Sequence, residues 1–434
     1  MMTRMAASAI RLRRASPKRF ARRRAVLCVC LAVASLAAAQ DPSYSRSFTG
    51  DTMRVDYLHT GGPGGEVLAI DQVVRDGPWP GSRTRLIDGT NLGESSFEVA
   101  DRASGRILYS RGFGSIYGEW ITTPEFLKAN RTFQESLRFP WPRAAVRITL
   151  KRRDAQNRPQ PFWSVDIDPA RAAPAAPPKP PGRVWALFEN GPPAGKVDLL
   201  LVSDGYTAAQ AEKFHADARR LTAALFSYEP FKSRRSAFNV RALDLASESF
   251  PVHTEYNIFG VGRYMLTYDN RALRAAAAAA PYDVLEILVN NKQYGGGGIF
   301  NLQSTVAVDN ERAEYVFVHE LAHNLAGLGD EYVGNVTYQP APAAKPEPWE
   351  PNLTALHDPA ALKWRDLVDP STPIPTPDSY AGKVGAFEGG GYESRGLFRP
   401  ELECIMGSTR AGVTFCRVCQ RAIRTIIASL TDEP

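Results

Sequence analysis

The chain of 434 residues is long enough for two packed domains, because a single hydrophobic core rarely grows past about 250–300 residues. Its formal net charge of +6 comes from the leader, since the first 39 residues hold nine of the 52 Lys and Arg and no acid. The remaining 43 basic and 46 acidic residues give a net charge of −3, so the composition excludes nucleic acid as the expected partner.

The first 39 residues have the pattern of a secretory signal peptide. A basic segment precedes the apolar run Ala25–Ala39, and small residues come just before Gln40. The run of 15 residues is shorter than the roughly 20 that a bilayer-spanning helix needs, so we expect no integral membrane segment after cleavage. We predict cleavage after Ala39 and a secreted or periplasmic product. Arg23 and Arg24 loosely resemble a twin-arginine signal, which leaves the export route open.

The next segment, residues 40–168, has the pattern of an antiparallel β-sandwich domain. Short runs of alternating apolar and polar residues, such as TMRVDYLHT and AAVRITLKRR, are separated by clusters of Gly, Pro and Asn. We expect a structural or recognition role, because no cluster of His, Cys and acids at ligand spacing appears here. Pro169–Pro181 has six prolines in thirteen residues and predicts an extended linker over residues 169–182.

Residues 183–434 change to a pattern in which strands alternate with helices, which indicates an α/β domain. Thr207–Leu225 and the alanine-rich run RALRAAAAAA predict helices, and a further helix begins near Glu311. The glycines at 295–298 predict a flexible loop before that helix. The continuous apolar run at residues 196–203 predicts a buried strand, and residues 238–245, 284–290 and 304–308 are three further strand candidates.

The helix that begins near Glu311 contains VHELAHNLAGLGDEY, with a His-Glu-x-x-His motif. Residues four apart lie on one helix face, so His319 and His323 can present two imidazoles to one zinc ion. Glu320 lies about 100° around the helix, where it can take a proton from a water on the metal and pass it to a leaving amine. The alternative is a pair of surface histidines, but VFVHELAHNLAGL is too apolar for an exposed helix.

A catalytic zinc site needs a third protein ligand and an open position for water. Gly327 can end the helix in a left-handed conformation, which lets the chain fold back toward the metal. Asp330 is the first residue after this turn that can ligate, and Glu331 is its competitor. We prefer Asp330, and the expected cofactor is one catalytic Zn²⁺.

Three cysteines follow the leader and surround Met406; they are Cys404, Cys416 and Cys419. In an oxidising compartment they predict a disulfide from Cys404 to Cys416 or Cys419. The alternatives are a structural zinc that recruits His357 and an unpaired core thiol. Met406 follows the zinc helix at the separation at which metzincins place a methionine in a tight turn, and a gap-filling core methionine is the alternative.

These residues resemble the IgA peptidase family of bacterial zinc metallopeptidases, a metzincin-like group. The matching motif is His-Glu-x-x-His-x-x-x-Gly-Leu-x-Asp-Glu-Tyr, and TMRVDYLHTG, LLLVSDGYT, GAFEGGGYESRGLFRP and the cysteine-rich end are similar as well. The resemblance implies a β-rich N-terminal domain ahead of an α/β metzincin-like zinc peptidase domain. It also implies roles for five residues: zinc binding by His319, His323 and Asp330, base catalysis by Glu320, and a Met-turn at Met406.

Two residues in the loop before Met406 are candidates to stabilise the transition state. Tyr392 and Arg399 each carry a donor that could polarise a substrate carbonyl. Packing within the loop is the alternative for both.

The sequence thus predicts an exported zinc-dependent endopeptidase, which hydrolyses protein or peptide substrates with a zinc-bound water activated by Glu320. A secreted or periplasmic protein that binds glycan or protein and holds a structural zinc is the alternative. Glu320 favours the peptidase, because a closed structural site has no use for a base beside an open coordination position.

Overall fold

The computed structural model describes residues 42–172, 182–245, 251–334 and 345–431. The predicted signal peptide with its cleavage position, and most of the predicted linker over residues 169–182, lie outside the described residues. Within the described ranges, none of the helices combines the length and the apolar character that crossing a bilayer requires.

Residues 42–172 form two antiparallel sheets. The elements are helix α1 (Pro42–Ser47), strands β1 (Phe48–Gly62), β2 (Gly65–Pro78), β3 (Ser95–Asp101) and β4 (Ile107–Phe113), helix α2 (Ile116–Ile121), and strands β5 (Arg131–Pro142), β6 (Val146–Arg153) and β7 (Pro159–Ile167). One sheet has the order β2-β1-β5 and the other the order β4-β3-β6-β7.

The two N-terminal sheets share one hydrophobic core. Apolar side chains from both sheets meet there, including Val55, Val99, Leu137 and Ile148. Alternation puts these side chains on one face of each strand and polar residues on the other, as the sequence pattern indicated. The predicted antiparallel arrangement of this region is confirmed.

Residues 182–431 contain a mixed sheet with helices on both faces. The elements are β8 (Arg183–Phe188), β9 (Val197–Asp204), α3 (Ala211–Leu225), β10 (Phe238–Asp244), β11 (Thr254–Glu255), β12 (Leu266–Thr267), α4 (Asn270–Ala277), β13 (Val284–Val289), β14 (Gly296–Ile299), β15 (Gln303–Ala307), α5 (Ala313–Ala326), β16 (Phe387–Gly390), β17 (Glu393–Arg399) and α6 (Arg417–Leu430). Strands β11 and β12 form one small hairpin, and β16 and β17 form another.

The mixed sheet has the strand order β14-β15-β13-β9-β10-β8. Its four inner strands are parallel, and both edge strands run antiparallel to their neighbours. Helices α3, α5 and α6 pack on one face and α4 on the other. Because both faces are covered, β9, β13 and β15 bury every residue. The four inner strands are the four that the sequence predicted.

The glycine-rich segment differs from its prediction as a flexible loop, because it forms the edge strand β14. Helix α5 packs so closely on this strand that a Cβ at Gly298 would overlap the backbone oxygen of Glu320, and a Cβ at Gly296 would overlap the Val316 side chain. The glycines are therefore required by the close approach of a helix. A run without side chains carries no alternation, so the sequence pattern could not indicate a strand.

The N-terminal sheets pack against the mixed sheet beside β14. A separate apolar cluster combines Trp120 of α2 and Phe133 of β5 with Ile299 of β14. The Gly114 N–H donates to the Phe300 carbonyl at 2.8 Å, which joins the two backbones directly. Residues next to α2 are therefore fixed close to the end of helix α5.

The substitution Gly298→Ala is expected to lower the free energy of unfolding by about 2 kcal/mol or more, because the added methyl group must push α5 away from β14. Gly50, in strand β1, is the matched control, since open space surrounds its Cβ position. Gly50→Ala should change the stability by no more than about 0.5 kcal/mol. Urea unfolding followed by circular dichroism measures both, and equal stabilities would contradict the close packing of α5 on β14.

Candidate active site

Helix α5 ends where the sequence predicted it would. Gly327 adopts a left-handed φ of +59°, and its N–H donates to the His323 carbonyl at 3.0 Å. A residue with a Cβ would be strained in this conformation, so glycine allows the chain to reverse direction. The reversal brings the following residues back across the end of α5, and Asp330 reaches the two histidines.

His319, His323 and Asp330 meet at one point. The two Nε2 atoms of the histidines lie 3.1 Å apart. Asp330 Oδ1 lies 3.0 Å from His319 Nε2 and 3.4 Å from His323 Nε2, and the three side chains are only 7–14 % exposed. The structure thus brings together the three residues that the sequence selected as ligands. The competing Glu331 faces the opposite way, toward the cysteines.

Backbone carbonyl groups orient both imidazoles. His319 Nδ1 lies 3.1 Å from the Ile405 oxygen, and His323 Nδ1 is hydrogen-bonded to the Leu328 oxygen. A carbonyl can only accept, so each Nδ1 donates in its hydrogen bond, and each Nε2 is directed toward Asp330. Asp330 Oδ1 has no hydrogen-bond partner among the described residues. Three electron-rich atoms face one another in a buried space, an arrangement that fits a bound cation.

The pKa values of the site also favour a positive charge at this point. Burial raises the pKa of Asp330, but the two imidazoles outweigh burial and hold it well below its ordinary value. Burial lowers the pKa of His323, but the Asp330 carboxylate outweighs burial and raises it to about 9. A proton on His323 places one positive charge beside the Asp330 carboxylate. A divalent cation would place a positive charge in contact with the carboxylate and with both imidazole nitrogens at once.

Glu320 lies beside the two imidazoles. Its carboxylate and the ring nitrogens of His319 and His323 lie within 4.8 Å of one another. Burial raises the pKa of Glu320 above its ordinary value, although the histidines oppose this. A carboxylate with a raised pKa is suited to taking a proton from water and returning it to a leaving group.

The site opens into a cleft of about 1100 Å³. Besides α5 and β14, the N-terminal region contributes to its lining through Glu94, just before β3, and Glu119 of α2. Burial raises the pKa of Glu119 to about 7 and that of Glu94 to about 8. The sequence pattern of the N-terminal region indicates no candidate group, because these two acids reach the cleft only through the packing of that region against the mixed sheet.

Tyr392, a predicted transition-state stabiliser, lines the cleft. Its hydroxyl donates to Asp330 Oδ2, the oxygen that faces away from the histidines. The Tyr392 ring packs edge-on against Tyr332, with 5.2 Å between the ring centroids. Arg263, which the sequence analysis did not select, also lines the cleft and donates to the Tyr332 hydroxyl at 2.8 Å.

Arg399, the other predicted stabiliser, is not among the cleft-lining residues of the described chain. It lies at the end of β17 opposite Phe387, and its guanidinium donates to the Glu388 and Gly389 carbonyls. The pairing of the β16–β17 hairpin directs this side chain to the hairpin backbone. The placement of Arg399 thus corresponds to the loop-packing alternative.

Met406 lies in a tight turn and is fully buried. The Gly407 N–H closes the turn by donating to the Cys404 carbonyl at 2.9 Å. The Met406 carbonyl accepts from the Glu331 N–H at 2.8 Å, so this turn is fastened to the segment that carries Asp330.

The structure does not contain the predicted disulfide, because Cys404, Cys416 and Cys419 are all free and buried. The Sγ atoms of Cys404 and Cys419 are 3.7 Å apart, compared with about 2.05 Å in a disulfide. His357 is exposed, and the carboxylate of Glu331 lies beside the thiols instead.

Comparison with known families matches both parts of the chain. The family described as IgA peptidase M64 matches residues 185–379 and 378–427, and the family described as the peptidase M64 N-terminus matches residues 43–164. A comparison with curated proteins found no match. The two family matches take in the mixed sheet with its cleft and the N-terminal sheets, and they confirm the resemblance found in the motif. The chain therefore belongs to the IgA peptidase M64 family and is a peptidase, with protein as its class of substrate.

Proposed function

We propose that this protein is an exported zinc-dependent endopeptidase. The observation that carries the proposal is the convergence of His319, His323 and Asp330, with ligand atoms 3.0–3.4 Å apart, beside the Glu320 carboxylate. Two imidazole nitrogens and one carboxylate oxygen suit zinc, which leaves a coordination position open when three protein ligands bind it. Bound zinc would polarise a peptide carbonyl and lower the pKa of water.

Glu320 is the proposed catalytic base. Its carboxylate takes a proton from the attacking water as the water oxygen adds to the carbonyl carbon of the substrate. The same group then donates this proton to the amide nitrogen as the C–N bond breaks, which releases a neutral amine. The raised pKa of Glu320 supports both halves of this cycle, because the protonated form has to persist between the two steps.

Strand β14 offers an edge to an extended substrate. Gly296 donates its N–H to the Arg263 carbonyl and accepts from the Met265 N–H, so its backbone groups point away from β15. Strand residues two apart direct their backbone groups to the same side, so the N–H and C=O of Gly298 also point away from β15. Gly298 lines the cleft. A peptide that pairs with Gly298 as an added strand would lie beside Glu320.

The fold also supports the metzincin-like interpretation. An antiparallel edge strand lies next to the helix that carries the histidines, and the buried turn at Met406 is fastened to the segment that carries Asp330. We therefore propose that Met406 is the Met-turn of this site.

The variant Glu320→Gln should lower kcat/KM for a peptide substrate at least about 100-fold, because the amide cannot accept the water proton. Its zinc content, measured by plasma mass spectrometry, should equal that of the unaltered protein. Glu314→Gln is the matched control on the same helix, since the Glu314 side chain is 57 % exposed. This control should cleave the substrate at the original rate.

Full activity of Glu320→Gln would contradict the mechanism. A chelator should stop cleavage by the unaltered protein, and added zinc should restore it. Bound zinc without hydrolysis of any unfolded protein would instead favour the glycan- or protein-binding alternative.

The variant Tyr392→Phe separates two roles of the Tyr392 hydroxyl. The hydrogen bond to Asp330 supports a positioning role, for which we expect zinc affinity to fall about 10-fold and kcat at saturating zinc to stay near its original value. A lower kcat with unchanged zinc affinity would assign the hydroxyl to transition-state stabilisation instead. Zinc titration against a fluorescent chelator, combined with kinetics, measures both quantities.

Export by the leader is part of the proposal. When the full chain is expressed in a bacterium, the periplasmic or secreted product should begin at Gln40, as identified by mass spectrometry of its N-terminal peptide. Replacement of Ala39 by Arg should block cleavage. A cell-retained product that keeps residues 1–39 would contradict export. Loss of export on replacing Arg23 and Arg24 by Lys would identify the twin-arginine route.

A further inference from the structure

A second group of ligand side chains lies in the core, separate from the two histidines. It consists of Glu331, Cys404, Cys416 and Cys419, and is called here the cysteine cluster. One ligand atom from each residue lies within 4.8 Å of the other three, and no member is more than 4 % exposed. The mechanism proposed for Glu320 makes no use of these groups.

The spacing of the ligand atoms matches a tetrahedral zinc site. Zinc binds sulfur at about 2.3 Å and carboxylate oxygen at about 2.0–2.2 Å, which separates two sulfurs by about 3.8 Å and a sulfur from an oxygen by about 3.5 Å. The Sγ atoms of Cys404 and Cys419 are 3.7 Å apart. Glu331 Oε1 lies 3.1 Å from Cys419 Sγ and 3.9 Å from Cys416 Sγ.

The carboxylate of Glu331 is incompletely satisfied by the protein. Glu331 is 1 % exposed, and its Oε2 atom has no hydrogen-bond partner among the described residues. Its other oxygen accepts from Asn352 Nδ2 at 2.8 Å. Burying a carboxylate with an unsatisfied oxygen is costly, and a cation held between Oε1 and the thiols would offset part of that cost by neutralising its charge.

The surroundings of the thiols stabilise negative charge on sulfur. Cys416 is the N-cap of α6 and Cys419 lies in its first turn, where the positive end of the helix dipole favours a thiolate. The Cys416 N–H points to Cys404 Sγ at 3.3 Å, and the Cys419 N–H points to Cys416 Sγ at 3.4 Å. Such N–H donors to sulfur are the outer contacts that a thiolate–metal site needs.

We propose that the cysteine cluster binds a structural zinc ion through three thiolate sulfurs and one carboxylate oxygen. Soft sulfur ligands in a tetrahedral set select zinc among common divalent ions. The three thiols lose their protons on binding, so zinc and its four ligands carry a net charge of −2. The helix N-terminus, the two backbone N–H groups and Asn352 offset this charge.

The cysteine cluster holds the segments that shape the catalytic site. Glu331 follows Asp330 directly, and Cys404 comes just before Ile405, whose carbonyl orients His319. A zinc ion at the cysteine cluster therefore fixes both segments to helix α6. This role is structural, because all four ligand positions are filled and no position is left for a substrate.

The test is a zinc count on the mature chain and two double variants, measured by plasma mass spectrometry after dialysis. The unaltered protein should hold two zinc ions per chain. His319→Ala/His323→Ala removes the catalytic ligands and should retain one. Cys416→Ser/Cys419→Ser should also retain one if it folds. A histidine double variant that is folded but holds no zinc would overturn the proposal, whether or not the unaltered protein is an active peptidase.

A second measurement identifies the ligands and does not need the cysteine variant to fold. The histidine double variant, purified under reducing conditions and loaded with Co²⁺, should show thiolate-to-cobalt charge-transfer absorption in the near ultraviolet. Its thiols should react with a thiol reagent only after chelation in denaturant, and then all three should react. If only one thiol reacts and the mass of the protein is 2 Da below that of the fully reduced chain, two of the cysteines form a disulfide and the proposal is overturned.

Discussion

The crowding of two imidazole nitrogens and one carboxylate oxygen into a buried space is the interaction on which the rest of the site depends. Without a proton or a cation between them these atoms repel one another, so the surrounding chain has to hold them in place. The Leu328 and Ile405 carbonyls fix the ring orientations, and the left-handed Gly327 returns Asp330 to the helix. Gly327 and Leu328 follow α5 directly, whereas Ile405 comes from a distant segment, so the site needs both segments folded together.

Much of this arrangement could be predicted from the sequence because it is periodic or local. The four inner strands coincide with short segments rich in apolar residues, and the helix period alone places His319 and His323 on one face. The turn at Gly327 is a local signal as well. The sequence favoured Asp330 over Glu331 because Asp330 comes first after the turn. In the structure the two side chains point in opposite directions, Asp330 toward the histidines and Glu331 toward the cysteines.

What could not be predicted depends on packing between distant segments. Strand β14 has no side-chain pattern. Its glycines are explained by the close contact of helix α5, which the sequence does not indicate. Glu94 and Glu119 reach the cleft because the N-terminal sheets pack beside β14. Arg399 was selected for its position in a loop, but the pairing of a hairpin directs its guanidinium elsewhere. Spacing within one segment carries no information about such contacts.

The opposite facing of Asp330 and Glu331 has a thermodynamic consequence. One peptide unit joins a proposed ligand of the catalytic zinc to a proposed ligand of the structural zinc, so an ion at either place would restrict the same backbone dihedral angles. The entropy lost in ordering that unit would then be shared, and the first ion to bind would make the second bind more tightly. By linkage, each ion would raise the affinity of the other by the same factor.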